Sequence, residues 1–258
     1  MIKSRVDIVS NDKIAEDIYS MVISSPEMAG TAHSGQFASL YTNDASKLLP
    51  RPISICDVDK DKGTIRFVYR IQGEGTRQFS EMCSGDCIDV VGPIGNGYDL
   101  SAKKAILMGG GIGIPPMLRL AKELSLAGLI KDDITIILGY RDETFLLEEF
   151  ENYGTVYITS DSGAVGLKGN VIDAAREYDV TGDMIYACGP KPMLKAIKSY
   201  AQEKGIKAQI SLEERMACGI GACLACVCQT TDVDEHSQVH NKRICVDGPV
   251  FYAEEVEL

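Results

Sequence analysis

Five of the nine cysteines crowd between Cys218 and Cys245, an arrangement suited to a metal centre. Cys218, Cys223 and Cys226 follow the pattern Cys-x4-Cys-x2-Cys, and Cys245 lies further on. This is the plant-type spacing of a [2Fe–2S] cluster. Three thiolates from one loop must converge on a cluster a few ångströms across, so the intervening backbone has to wrap tightly. Gly219 and Gly221 permit left-handed conformations there and let main-chain N–H groups approach the sulfurs, which tunes the cluster's potential. A structural zinc is the alternative, but such sites usually draw on two Cys-x2-Cys knuckles and only one is present. Cys228 would share a face with Cys226 on a strand and is a possible substitute ligand. An odd number of cysteines gathered in one segment also argues against a secreted disulfide framework.

A second group of residues could hold a nucleotide. The apolar run Ala105–Met108 leads into Gly109-Gly110-Gly111-Ile112-Gly113-Ile114-Pro115-Pro116 and then a helical pattern. A strand–turn–helix of this kind lets backbone N–H groups face a pyrophosphate, with Gly110, Gly111 and Gly113 giving close access. The third glycine of G-x-G-x-x-G is replaced, and a tight structural turn would read the same way. After the next apolar run, Asp142 would favour NAD, whereas Arg141 would meet the 2′-phosphate of NADP; both stay open.

A third group sits earlier. Arg51-Pro52-Ile53-Ser54 places a cation and a hydroxyl on one side of a strand, suited to a diphosphate. Val68-Tyr69-Arg70 adds an aromatic face and a second cation, and Gly75-Thr76 opens a helix start. Each alone reads as a surface arginine or a turn. Together, ahead of a nucleotide-binding pattern, they suggest a flavin site.

These residues need elements to position them. Residues 1–99 contain short apolar runs at Arg5–Val9, Ile18–Ile23, Phe37–Tyr41, Ile53–Asp57, Ile65–Ile71 and Cys87–Val91, the pattern of an antiparallel β-barrel. One helix-like stretch, Thr76–Met82, interrupts them. Residues 100–210 alternate continuous apolar runs (Ala105–Met108, Ile134–Leu138, Val156–Thr159, Met184–Ala187) with helical periodicity, as in a parallel α/β sheet. Met117, Leu120, Ala121 and Leu124 form one helical stripe, with Gly128 as its C-terminal stop. Residues 211–258 are rich in cysteine and glycine and too short to build a core alone, so they need a metal or disulfides.

The formal net charge of −11 and the lack of a basic run argue against nucleic acid and anionic membranes as partners. No signal peptide or membrane-length apolar stretch is evident, so a cytoplasmic location is expected. Cys56, Cys83 and Cys87 read as small buried hydrophobes. His33, His236 and His240 lie in polar, loop-like sequence and read as surface residues. No catalytic acid–base residue is proposed.

Arg51–Ser54, Gly109–Pro116, Cys188-Gly189-Pro190 and the cysteine loop occur in the order of the ferredoxin–NADP reductase superfamily, which the chain resembles. The stretches Ser211–Cys223 and Cys245–Phe251 resemble most closely the electron-transfer subunits of NAD-dependent dihydroorotate dehydrogenases. The resemblance implies FAD on the barrel at Arg51–Ser54, Val68–Arg70 and Gly75-Thr76, and NAD on the α/β domain. It implies a [2Fe–2S] cluster on Cys218, Cys223, Cys226 and Cys245. It places Cys188, Gly189 and Pro190 near the nicotinamide, with Cys188 as a packing residue. It further implies a separate FMN-containing catalytic subunit, two copies of each chain in a heterotetramer, and a role in pyrimidine biosynthesis. Related subunits linked to ferredoxin, sulfide or hydrogenases are a competing reading, as is a cluster-based redox sensor without enzymatic activity.

Overall fold

The computed structural model describes residues 1–44, 46–233 and 238–258; His236 lies outside them. The first six strands are β1 (Ile2–Ala15), β2 (Ile18–Ser24), β3 (Phe37–Tyr41), β4 (Arg51–Asp59), β5 (Thr64–Arg70) and β6 (Cys87–Ile94). They close into an antiparallel barrel in the order β1-β2-β5-β4-β3-β6. Each of the six expected apolar runs lies within, or overlaps, one of these strands. Alternate side chains fill the interior, among them Ile8, Met21, Ile23, Leu40, Ile55 and Phe67.

Two helices decorate the barrel, not one: α1 (Pro26–Thr31) and α2 (Glu74–Ser80). The short α1 carries a proline in its first turn, where a missing N–H costs nothing. Six residues are too few to display a periodic stripe. The second helix begins two residues earlier than its apolar pattern suggests, because the Thr76 hydroxyl accepts from the N–H groups of Gln72 and Gly73 (2.9 and 3.2 Å) and closes the first turn.

The α/β domain follows with β7 (Ala105–Gly110), α3 (Ile114–Leu126), β8 (Ile134–Tyr140), α4 (Leu147–Phe150), β9 (Thr155–Ser160), β10 (Leu167–Lys168), α5 (Val171–Glu177), β11 (Met184–Cys188), α6 (Lys191–Lys204) and β12 (Lys207–Ser211). All six residues of β7 are buried, as a strand covered on both faces requires. Gly128, with φ of +109°, ends the α3 segment. The cysteine-rich region contains a small hairpin, β13 (Val227–Gln229) with β14 (Asn241–Arg243), and then β15 (Val250–Tyr252). The last strand joins the main sheet antiparallel to β12, giving the order β10-β9-β8-β7-β11-β12-β15. Cys226, Ile244, Cys245 and Phe251 pack into the same core as Phe37 of the barrel and Ile210 of the sheet. The short segment thus borrows its core from both neighbours.

A buried ionic cluster holds the barrel to α3. Arg119 and Glu123 pair at 2.7 Å with side chains only 4% and 10% exposed. Arg119 also donates to the Val58 carbonyl (3.2 Å), Lys122 pairs with Asp57 (2.9 Å), and Glu123 accepts from the Ser34 N–H (2.9 Å). Removing one member of a buried pair strands the other charge. Glu123→Gln should therefore lower stability by about 3–5 kcal/mol, measured as a shift in the urea midpoint without a change in slope.

Among the described residues, no helix is long and apolar enough to cross a membrane.

Candidate functional site

The structure gathers the three flavin-site segments and the glycine turn around one cavity of about 590 Å³. Arg51–Ser54 come from the start of β4, Val68–Arg70 from the end of β5, and Gly75-Thr76 from the first turn of α2. Gly110, Gly111, Gly113, Cys188, Gly189 and Pro190 form the wall contributed by the α/β domain. Ser211 to Glu213 and Met216 complete the side that leads to the cysteine loop.

The local chemistry suits an anionic ligand, while the aromatic face expected of Tyr69 is turned into the barrel core. The Arg51 guanidinium lies directly against Gly75, so close that any Cβ at that glycine would overlap it. Its Nη1 is steadied by the Leu49 carbonyl at 2.6 Å. Gly75 is thus required for close approach rather than for an unusual φ. Tyr69 is buried between Tyr19, stacked at 6.0 Å, and Phe79, edge-on at 6.0 Å, and its hydroxyl donates to Asn11 (3.1 Å). Its ring is locked by packing, and Arg70 beside it is exposed.

The glycine turn runs from β7 through a single 3-10 turn, Gly111–Gly113, into α3, whose first turn carries Pro115 and Pro116. Gly111 is left-handed (φ +53°). A Cβ on Gly113 would run into the backbone of Cys188 and Gly189, so this glycine allows the ends of β7 and β11 to meet. Burial pushes the Cys188 thiol up to about 12, against a smaller opposing effect of the Ser211 hydroxyl.

A second cavity of about 470 Å³ shares Arg70, Gly110, Gly111 and Pro190 with the first. Arg141 and Asp142 both line it. So do residues that the sequence did not flag: Glu16 and Asp17 from the barrel, Thr159 from β9, and Asp161 just beyond it. Thr159 is fully buried, and its hydroxyl has no hydrogen-bond partner among the described residues. The only signal for it was a polar residue within an apolar run.

In the cysteine segment, Gly219 (φ +66°) and Gly221 (φ +81°) take the left-handed conformations expected of the wrap. Main-chain N–H groups point at the sulfurs: Gly221 to Cys245 Sγ at 3.2 Å, Cys223 to Cys218 Sγ at 3.3 Å, and Ile220 to Cys218 Sγ at 3.5 Å. Burial works to raise the Cys218 thiol, but hydrogen bonds from the Ile220, Cys223 and Ala222 N–H groups and from the Cys223 side chain outweigh it and bring it to about 7. Burial, reinforced by the neighbouring Cys226, pushes Cys245 up to about 12. The thiols stand in pairs, with Cys226 and Cys245 sulfurs 3.4 Å apart and Cys218 bonded to Cys223. Thiols standing in two pairs suit a two-iron cluster, which takes two thiolates at each iron. Arg243 ties the loop down, donating from Nη1 to the Gly221 carbonyl (3.1 Å) while its N–H reaches Asp247 (2.8 Å).

The spare cysteines divide. Cys56 is fully buried. Cys83, by contrast, is exposed, and Cys87 is half-buried and bonded to Asp7 (3.2 Å). Both flank a surface turn, where the apolar neighbours seen in sequence belong to the strand beyond it. Cys228 is buried and bonds to the Lys242 carbonyl (3.5 Å), which occupies its sulfur. His33 and His240 are exposed.

Residues 213–257 match the family described as the iron–sulfur cluster binding domain of dihydroorotate dehydrogenase B. Over its full length the chain is 42% identical to the dihydroorotate dehydrogenase B (NAD+) electron transfer subunit of Listeria monocytogenes, covering 100% of both. It is 43% identical to the corresponding subunit of Caldanaerobacter subterraneus subsp. tengcongensis, covering 98% of each. Among solved structures, a chain of the NADH-dependent reduced ferredoxin–NADP oxidoreductase superposes with a TM-score of 0.87 at 34% identity, covering 98% of this chain and 89% of the other. Phthalate dioxygenase reductase shares the fold, with a TM-score of 0.65 at 18% identity over 95% and 94% of the two chains.

Proposed function

Because the chain belongs to the family of dihydroorotate dehydrogenase B (NAD+) electron transfer subunits, we propose that it takes electrons from an FMN-bearing catalytic subunit and delivers them to NAD+ in pyrimidine biosynthesis. Its cofactors are FAD and a [2Fe–2S] cluster, with NAD+ as the acceptor. The observation that carries this reading is the order of the three sites. The larger cavity shares Arg70, Gly110, Gly111 and Pro190 with the second cavity, and its lining reaches Met216, two residues before Cys218. A flavin lying between a one-electron relay and a two-electron acceptor can exchange with both.

The residues have distinct tasks in this reading. Arg51 binds the flavin diphosphate, and Gly75 lets it come close. Tyr69, packed in the barrel core, fixes the end of β5 from which the exposed Arg70 projects. Gly110, Gly111 and Gly113 bring the nucleotide turn up to the flavin cavity, and Cys188 fills the junction without exposing a charge. Cys218, Cys223, Cys226 and Cys245 are the cluster ligands, with the N–H groups of Ile220, Gly221 and Cys223 offsetting negative charge on the sulfurs. Exposed Ile220, Leu224 and Val246 rim this loop and provide an apolar surface for the catalytic subunit. We further propose a cytoplasmic heterotetramer with two copies of each chain.

Co-expression with FMN-containing barrel subunits of the same genome, followed by anaerobic mixing with dihydroorotate and NAD+, tests the proposal. NADH formation that requires this chain is expected. No NADH, from a complex carrying FAD and cluster, would turn the assignment towards a ferredoxin- or sulfide-linked reductase.

A further inference from the structure

Ser39 sits in the middle of β3, is only 2% exposed, and its hydroxyl has no hydrogen-bond partner among the described residues. Buried hydroxyls are nearly always paired, so an orphan calls for an explanation. Its neighbours supply one. Ser39 pairs across the sheet with Pro52, which lines the larger cavity. On its other side it faces the cysteine loop: a Cβ added to Gly219 would lie 2.9 Å from Ser39 Oγ. The hydroxyl therefore abuts the turn that begins at Cys218, on the side where the barrel and the cluster segment meet.

The loop's own donors are already directed at sulfur, since Ile220, Gly221 and Cys223 each offer an N–H to a cysteine Sγ. With iron bound, thiolates and inorganic sulfides bring negatively charged acceptors to the same turn. We propose that the Ser39 hydroxyl donates a hydrogen bond to a sulfur of the [2Fe–2S] cluster, so that a residue of the flavin barrel sets the cluster's reduction potential. This rests on the cluster assignment above. A donor to sulfur favours the reduced, more negative cluster, and the potential rises. Ser39 is a positioning and tuning residue; it does not ligate iron, and electron transfer needs no proton from it.

The test uses the full chain loaded with cluster and FAD. In an EPR-monitored redox titration, Ser39→Ala should shift the midpoint to more negative values by roughly a tenfold change in the reduced-to-oxidised ratio, about 59 mV for one electron. FAD content should not change. Resonance Raman gives a second reading on the native protein: Fe–S stretching bands should move in D2O, and part of that movement should vanish in the variant. An unaltered midpoint together with an unaltered deuterium shift would overturn the proposal. A native chain lacking both iron and acid-labile sulfide would instead overturn the cluster assignment on which it rests.

Discussion

Cys223→Ser is expected to give a protein that keeps FAD but loses its cluster and, with it, NAD+-linked dihydroorotate oxidation. Cys223 contributes twice to the loop, through its sulfur and through the N–H that points to Cys218 Sγ at 3.3 Å. Outer-sphere changes alone typically weaken a metal site by roughly 10–100-fold, and loss of a thiolate should exceed that. Rescue by Cys228 is not expected, because that thiol is buried and bonded to the Lys242 carbonyl within the β13–β14 hairpin. Iron and sulfide analysis alongside the FAD absorbance would decide the matter. A normal cluster in the variant would show that the four-cysteine set is wrong.

The second large effect is expected at the flavin. Arg51→Ala removes a guanidinium held against the first turn of α2 and braced by the Leu49 carbonyl. A charge-assisted hydrogen bond contributes about 1.5–3 kcal/mol, so the FAD dissociation constant should rise roughly 10- to 150-fold. Gly75→Ala should act in the same direction, since the added methyl would displace that guanidinium. FAD retained per chain after gel filtration, and calorimetric titration of the flavin-free protein, would measure both. Neither residue is a cluster ligand, so cluster content should stay normal in either variant.

Much of the fold was legible because it rests on local regularities. Six apolar runs separated by turn residues mark the barrel strands, and fully apolar runs mark the buried parallel strands. The cysteine spacing carries its own chemistry. What stayed hidden depends on contacts between distant segments. Arg119 and Glu123 fall outside the apolar stripe of α3, yet both are buried because Asp57, Val58 and Ser34 meet them. Ser39 and Thr159 are single hydroxyls within apolar strands and look like ordinary variation until their surroundings are known. Helix α1 and the β13–β14 hairpin are too short for any period to register. The second cavity draws on Glu16, Asp17 and Asp161, which come together only when the barrel docks on the sheet.

The return of β15 to the sheet has a consequence for how the chain is put together. Strands β12 and β15 are adjacent and antiparallel, and the Leu212 N–H bonds the Pro249 carbonyl at 2.9 Å, just where the pairing ends. The whole cysteine-bearing stretch is therefore an excursion that leaves and re-enters the sheet at one point. Loop-closure entropy grows only logarithmically, each doubling of length adding about 0.6 kcal/mol. A long insertion at such a closed base burdens the reductase framework little more than a short turn would. The order within the excursion comes from the core it shares with the barrel and the sheet, and a cluster held by its cysteines would add to that order.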